Sequence, residues 1–183
     1  MMTIVPLTFG AIIGIAITEN KHSFFNFSKV LLNLKSLLIG SIITECFLRF
    51  NTEEFKIFNT IIYSLTVDLC FYIFHILQHK IKFVYKHVHK HHHLEIIPQP
   101  IDAYIISPIE SIILGLTFVI PSLFFSISES SALLVIIWHT LMGILLHGGS
   151  KHLNYHMTHH KLFNCNYAGL YPLWDSLFGT FAT

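Results

Sequence analysis

Long apolar segments alternate with short polar ones along this chain of 183 residues. A helix needs about 20 mostly apolar residues to cross a hydrocarbon core of roughly 30 Å. Apolar runs of about that length cover residues 30–49, 57–78, 104–126 and 131–148, and a shorter run covers residues 3–18. The pattern therefore predicts an all-α fold, a polytopic transmembrane helical bundle of four to five spans.

A short polar turn of sequence SISES separates the segments 104–126 and 131–148. Turns of this length join antiparallel helices, so the two segments are expected to form a hairpin with both outer ends, near Ile101 and His147, at one membrane face. Histidines on either side of the hairpin then meet there as a histidine-rich cap. Because lysines flank these histidines while the turn carries Glu129 and no Lys or Arg, the positive-inside rule predicts that they face the cytosol.

Composition agrees with a membrane protein. Hydrophobic residues make up 53% and charged residues 11% of the chain, against roughly 25% charged in soluble proteins, and the mean hydropathy is +0.62. The formal net charge of +1 gives no basic excess for binding nucleic acid through counterion release. Three cysteines without a C-x-x-C pair fit a reducing compartment better than a disulfide framework.

Histidine is the chemically distinctive residue, with 14 copies in the chain. In the first box, Asp68, Tyr72, His75 and His79 follow an i, i+4, i+7, i+11 pattern that places them within about 60° on one helix face. The histidine pair suits one metal, but taken alone it equally suits two hydrogen-bonded residues inside a bundle. Asp68 is costly in an apolar run unless partnered, so it is the expected acceptor for a ligand imidazole N–H.

Two further boxes repeat the spacing H-x-x-H-H. The second box is His89, His92 and His93, and the third, 67 residues later, is His156, His159 and His160. Positions i, i+3 and i+4 share a helix face, so all three histidines of a box can point into one site. A histidine tract alone can also be a loose surface chelator, but the repetition favours a built metal site.

The remaining histidines are assigned by their position. His147 lies at the end of the last span and is the better additional ligand, with His152 second. His139, about two turns deeper in the span, is expected to be a hydrogen-bonded core residue, and His22 a loop residue. Nine candidate ligands exceed the four of a tetrahedral zinc, so two metal ions are predicted. Imidazole suits zinc, copper, iron or nickel, which leaves redox and hydrolytic chemistry both open.

The order of the three boxes at helix ends resembles the fatty acid hydroxylase/sterol desaturase superfamily of integral-membrane, non-haem di-iron oxidases. The family's pattern around the second box is matched by Val84, Tyr85, Lys86, His89, Lys90, His92, His93, Pro98 and Ala103. Its C-terminal pattern is matched by His156, His159, His160, Asn166, Tyr167, Trp174, Asp175, Phe178, Gly179 and Thr180. The resemblance covers residues 57–180. It implies an N-terminal membrane anchor at 1–56 and a catalytic domain at 57–183.

The chain departs from the family pattern at a few positions. The family's His-Pro-x-Glu is Ser107, Pro108, Ile109 and Glu110 here, and Ala168 stands in place of the glycine of Asn-Tyr-Gly. The interval between the last span and the third box is also short. These differences leave open a catalytically degenerate, lipid-binding member of the family.

The resemblance implies two iron ions held by the nine histidines, with O2 as co-substrate, and a lipid that is hydroxylated or desaturated: a sterol, a sphingolipid or a fatty acyl chain. Asp68 is then a residue that orients a ligand, and Asn166 supports the third box. Electrons are expected from a separate donor of the cytochrome b5 or reductase type, and the endoplasmic reticulum is the expected membrane in a eukaryote. The alternative is a membrane metal-binding or transport protein, whose ligands would lie at midplane depth along several spans.

Overall fold

The computed structural model describes residues 27–50, 54–148 and 155–183, and the regular structure in them is helical. The helices of five or more residues, apart from one π-helical turn, are α1 (Phe27–Phe47), α2 (Ile57–Lys80), α3 (Pro108–Ser122), α4 (Glu129–Leu146), α5 (Tyr155–Leu162) and α6 (Leu173–Leu177). The all-α prediction is confirmed. The segment 3–18, His22 and His152 lie outside the described residues.

Within those ranges, α1, α2 and α4 are long and apolar enough to cross a membrane. The predicted span 104–126 is helical only over the 15 residues of α3, about 22 Å at 1.5 Å per residue. Its start is set by Ser107, whose hydroxyl accepts the Glu110 N–H, and by Pro108 in the first turn. α3 is therefore shorter than the span predicted for residues 104–126.

α1 and α3 pack with their backbones in close contact. A Cβ atom added at Gly115 would lie 2.6 Å from the carbonyl oxygen of Gly40, so this approach needs glycine at position 115. A Cβ atom added at Gly40 would lie 3.1 Å from the carbonyl oxygen of Ser111, which is also a tight contact. The hydroxyl of Thr44 donates to the carbonyl of Gly40 at 2.9 Å and lies 3.4 Å from that of Gly115. Small residues thus allow the backbones of α1 and α3 to pack closely around Gly40 and Gly115.

α1 also holds the loop between the second histidine box and α3. The Asn33 side chain donates to the carbonyl of Ile101 at 2.6 Å and accepts the N–H of Tyr104 at 2.9 Å. One turn earlier, the ammonium of Lys29 lies 2.7 Å from the carboxylate of buried Asp102. These contacts fix the path of the chain as it leaves the second box.

The C-terminal segment 166–180 contacts the polar stripe of α2, which consists of the residues that the sequence places on one helix face: Asp68, Tyr72, His75 and His79. Asp68 accepts the N–H groups of Leu170 and Tyr171, and the hydroxyl of Tyr72 lies 3.0 Å from that of Thr180. His75, at the next position of the stripe, meets a carbonyl of the same segment. The C-terminal segment is thereby fixed along the face of α2 that carries the first box.

Candidate metal centre

Nine buried or half-buried histidines converge at one end of the bundle in two groups, and within each group the candidate ligand atoms lie within 4.8 Å of one another. The first group is His75, His79, His89, His93 and His159. The second group is His92, His147, His156 and His160. All nine are the residues predicted from the sequence. The α3–α4 hairpin delivers His147 to the second box as expected, with the Nε2 atoms of His147 and His92 3.4 Å apart.

The second and third boxes each divide between the two groups, so the expectation that a whole box points into one site is wrong. In α5, His156 and His160 are four residues apart, about 40° around the helix, and both enter the second group. His159 lies about 60° to the other side of His156 and enters the first group. The second box divides in the same way, since His89 and His93, four residues apart, enter the first group and His92 enters the second. The chain there runs through a π-helical turn and then a 3-10 turn, with His93 at φ −94°, ψ 18°.

Five of the nine rings have an acceptor that fixes the tautomer. The Nδ1 atoms of His75, His159 and His147 donate to main-chain carbonyls at 2.6–2.7 Å. That of His160 donates to the Glu95 carbonyl, and that of His89 to the carboxylate of Glu110. Because a carbonyl only accepts, the proton lies on Nδ1 and the Nε2 atom turned into the group carries a lone pair.

The Nε2 atoms of the first group crowd together. Those of His75 and His89 are 3.1 Å apart, and those of His89 and His79 are 2.9 Å apart. His75 and His89 both present lone pairs, which repel each other and form no hydrogen bond. Adjacent ligands at about 2.1 Å from one metal ion would be separated by about 3.0 Å in octahedral geometry. The donor set therefore fits a bound cation.

The second group contains buried ring nitrogens that have no partner among the described residues. Both nitrogens of His156 are in this condition, as are Nε2 of His160 and Nδ1 of His92. A buried polar atom without a partner costs about 1–3 kcal/mol. A metal ion at the centre of the group would satisfy the nitrogens that face it, so this group also fits a cation.

Burial keeps the rings outside the membrane helices in the neutral form that metal binding requires. Burial, opposed only in part by a hydrogen bond to the Gly143 carbonyl, lowers the pKa of His147 to about 4. Burial and the neighbouring His147 ring lower the pKa of His160 to about 3. The pKa values of His156 and His159 are also lowered, again mainly by burial. These rings thus stay deprotonated and available as ligands at neutral pH.

A largely apolar cavity runs between α1, α2, α3 and α4 and reaches both histidine groups. Its wall includes His89 of the first group and His92, His147 and His156 of the second. Aromatic and aliphatic side chains make up the largest part of the remainder. The polar side chains in it are Gln78, Glu110 and several serines and threonines: Ser36, Ser41, Thr44, Thr117 and Thr140. The cavity thus opens onto histidines of both groups.

Comparison with known proteins identifies the family. The sequence model of the fatty acid hydroxylase family matches residues 60–180. The chain belongs to the fatty acid hydroxylase family. No solved structure matches the chain.

Curated relatives of this fatty acid hydroxylase family member oxidise lipids, according to their names. A Delta(7)-sterol 5(6)-desaturase of Leptosphaeria maculans is 33% identical over 122 residues, 62% of this chain and 34% of the relative. Sphinganine C4-monooxygenase 2 of Arabidopsis thaliana is 29% identical over 150 residues, 71% and 58% of the two chains. Human cholesterol 25-hydroxylase is 29% identical over 138 residues, which are 65% of this chain and 49% of the relative. The chain thus spans about a third to just over half of these relatives.

Asp68 has a different partner in this fatty acid hydroxylase family member from the one expected. Its carboxylate accepts the main-chain N–H groups of Leu170 and Tyr171 and meets no histidine of the described chain. His75 lies seven residues further along α2, about 10 Å along the axis, and its N–H donates to the Tyr167 carbonyl instead. Asp68 therefore holds the C-terminal segment rather than a ligand ring.

Asn166 contacts the first residue of the helix that carries the third box. Its side-chain amide donates to the carbonyl of Tyr155, the first residue of α5, and to that of Ala182. The residue is fully buried and has a positive φ of 55°, a conformation that asparagine tolerates better than most residues. Asn166 thereby ties the start of α5 to the C-terminal end of the chain.

Asp175 and Glu110 connect the framework of this fatty acid hydroxylase family member to its histidines. The Asp175 carboxylate accepts the N–H groups of Tyr167 and Ala168 at 2.8 Å, which holds the carbonyl that orients His75. Glu110 was not among the predicted site residues, yet it accepts the N–H of His89. An acidic residue three positions after Ser107, inside an apolar segment, was the available signal for it.

Proposed function

We propose that this chain is a membrane-bound, non-haem di-iron oxidoreductase that uses O2 to hydroxylate or desaturate a lipid, with a sterol, a sphingolipid or a fatty acyl chain as the substrate. The single observation that carries the proposal is that two adjacent all-histidine groups both contribute side chains to the wall of a largely apolar cavity. The lipid-oxidising activities named for the relatives support the same assignment.

The nine histidines are proposed to hold one iron in each group. When bound, the two irons supply the redox chemistry that activates O2 toward a C–H bond. The protein holds the ligand rings in one orientation, because the carbonyls of Tyr167 and Cys165 fix His75 and His159 from the C-terminal segment. Asp68 and Asn166 contribute by holding that segment in place.

The cavity is proposed to bind the lipid. Phe71, Phe74, Leu114 and Phe118 line it, so an aliphatic chain or a sterol ring system would replace water there. Excluding water confines the reaction to the carbon that lies against the histidines. The side chains of the spans, and not the boxes, then determine which lipid fits.

The protein is proposed to lie in the membrane with its histidine groups at the cytosolic side, in the endoplasmic reticulum of a eukaryotic cell. The exposed Lys80, Lys82, Lys86 and Lys90 beside the first two boxes support this orientation. Electrons would come from a separate donor of the cytochrome b5 or reductase type. Residues 1–56 are proposed as the membrane anchor and residues 57–183 as the catalytic domain.

An oxygen-labelling experiment tests the activity. Iron-loaded protein in lipid nanodiscs is supplied with a reductase, a cytochrome b5 and NADH, and deuterated sterols, sphingoid bases and fatty acids are followed by mass spectrometry under 18O2. We expect either one 18O atom in a hydroxylated product or the loss of two hydrogens in a desaturated one, in both cases dependent on O2. If folded protein carrying two irons oxidises none of the three lipid classes, the proposal is wrong.

A further inference from the structure

The segment that leads from the end of α2 into the second histidine box exposes lysines and apolar side chains side by side. We call this surface the lysine face, and its exposed members are Lys80, Ile81, Lys82, Phe83, Lys86 and Lys90. Lys82, Lys86 and Lys90 recur every four residues, so they form one row along a helical segment. Phe83 and Ile81 lie beside this row, with 71% and 46% of their surface exposed. The lysine face is thus the outer surface of a basic amphipathic segment.

The opposite side of the same segment faces the metal centre. Val88, His89 and His93 are buried, and the two histidines belong to the first group. Inward and outward residues alternate because the chain there forms a short α-helical turn followed by a π-helical turn. A partner bound to the lysine face therefore lies against the outer side of the second box.

The lysine face carries positive charge that no neighbouring carboxylate balances. The sequence contains no Asp or Glu from residue 69 to residue 94. The four lysines of this face form no ion pair with a described residue. Glu95, the next acidic residue along the chain, lies 3.7 Å from the ammonium of Lys29 instead. The charge of the lysine face therefore favours an anionic partner.

The position of the lysine face favours a membrane surface over a soluble acidic protein. Lys80 is the last residue of α2, which is long and apolar enough to cross a membrane, so the face begins where that helix would leave the hydrocarbon. Ile81 continues an exposed apolar row of α2 that includes Ile73 and Leu77. A soluble partner would leave Phe83 in water whenever it dissociates, whereas the membrane interface accommodates aromatic rings and lysines together.

We propose that the lysine face binds the headgroups of anionic phospholipids in the leaflet at the histidine end of the protein, with Ile81 and Phe83 in the interface. Each lysine near an anionic surface strengthens the local association about fivefold. The leaflet then covers the outer side of the segment that carries the second box. This inference goes beyond the proposed function, because it concerns a contact with the bilayer that needs neither metal nor substrate.

A tryptophan introduced at position 83 tests both the location of the face and its preference for a headgroup. Phe83→Trp protein is reconstituted in vesicles of phosphatidylcholine with about one fifth of phosphatidylserine. Either the phosphatidylserine or an equal amount of the phosphatidylcholine carries bromine in its acyl chains, and the signal of wild-type protein, which contains Trp138 and Trp174, is subtracted. We expect brominated phosphatidylserine to quench as if it were about fivefold or more enriched at this position, and aqueous acrylamide to quench weakly.

Charge variants in the Phe83→Trp background assign the preference to the lysines. Lys82→Gln, Lys86→Gln and Lys90→Gln combined should bring the ratio of the two lipid associations close to one. Arginine at the same three positions keeps the charge, so this matched control should preserve the ratio. High salt should also lower the ratio, because it screens exposed charges. The replaced side chains are all exposed, so the variants are expected to fold.

The possible results separate this proposal from its alternatives and from the enzyme activity. Equal quenching by the two brominated lipids would overturn the headgroup preference. Quenching by acrylamide and by neither lipid would place the lysine face in water, where it would suit an acidic protein, and would overturn the proposal. A ratio unchanged by the three glutamines would show that the lysines do not carry the preference. Because the readout needs no turnover, a failure of the oxidase assignment would leave it unaffected.

Discussion

Asp175 links the C-terminal segment to the first histidine group, and its replacement by asparagine gives a prediction about both stability and metal binding. One carboxylate oxygen accepts the Tyr167 N–H at 2.8 Å and the Thr180 hydroxyl at 2.7 Å, and the other accepts the Ala168 N–H at 2.8 Å. The side chain is completely buried. In Asp175→Asn, an NH2 group must face one of these buried donors.

The magnitude follows from the bonds that are lost. A hydrogen bond to a charged acceptor contributes about 1.5–3 kcal/mol, and an N–H left buried and unpaired costs a further 1–3 kcal/mol or so. We therefore expect Asp175→Asn to lower the free energy of unfolding by about 2–4 kcal/mol. Because the Tyr167 carbonyl orients His75, we also expect metal affinity of the first group to fall about 10–100-fold, with little change in the second.

The assay is thermal unfolding in detergent, combined with metal titration of protein stripped by a chelator. Ser176→Ala, at the exposed neighbouring position, is the matched control and should remain within about 0.5 kcal/mol of wild type. Wild-type stability in Asp175→Asn would refute this reasoning. So would a variant in which the second group, and not the first, loses its affinity for metal.

Three further predictions concern packing, the connecting loop and pH. Gly115→Ala should lower the unfolding temperature and the free energy of unfolding, the latter by about 1–3 kcal/mol, because the added Cβ would lie 2.6 Å from the Gly40 carbonyl oxygen. An unchanged unfolding temperature would contradict the close α1–α3 contact. Asn33→Ala loses two main-chain bonds to the loop before α3 and should cost about 1–3 kcal/mol in chemical denaturation, with no loss meaning that α1 does not hold that loop. In metal-free protein, the folded pKa values of about 4 for His147 and about 3 for His160 lie below the ordinary 6.5. Between pH 3 and 6.5 the unfolded chain binds more protons than the folded one, so the contribution of these two rings to the free energy of unfolding should be fully present above pH 6.5 and decrease as the pH drops toward 3. An unfolding temperature that does not depend on pH over this range would contradict neutral buried rings.

Much of the architecture was predictable because apolar length and helix periodicity carry strong signals. The segments 57–78 and 131–148 correspond to α2 and α4, and the short polar turn before α4 correctly brought His147 toward the second box. Eight candidate ligands were predicted from the spacing of the boxes and His147 from its place at the end of the hairpin, and the structure brings all nine together in two groups. The family resemblance was carried by the pattern at the C-terminal end, and the family match confirms it.

The details that escaped prediction depend on local backbone geometry and on tertiary contacts. Each H-x-x-H-H box was expected to enter one site, whereas His92 and His159 each enter a different group from the two outer histidines of their box. The reason is that positions i+3 and i+4 lie about 60° and 40° to opposite sides of position i. Asp68 was expected to meet a histidine, but its acceptor oxygens are used by main-chain N–H groups of a segment about 100 residues away. Main-chain carbonyl acceptors such as that of Tyr167 have no side-chain identity, so the sequence does not show them.

The most direct test of the account is the metal content of the purified protein by elemental mass spectrometry. The wild-type protein should hold about two irons per chain, and so should the control His87→Ala, since His87 is exposed and belongs to neither group. His75→Ala with His79→Ala should remove the iron of the first group alone, and His156→Ala with His160→Ala that of the second. Folded wild-type protein without bound metal, or either double variant with two irons, would contradict the two-centre account.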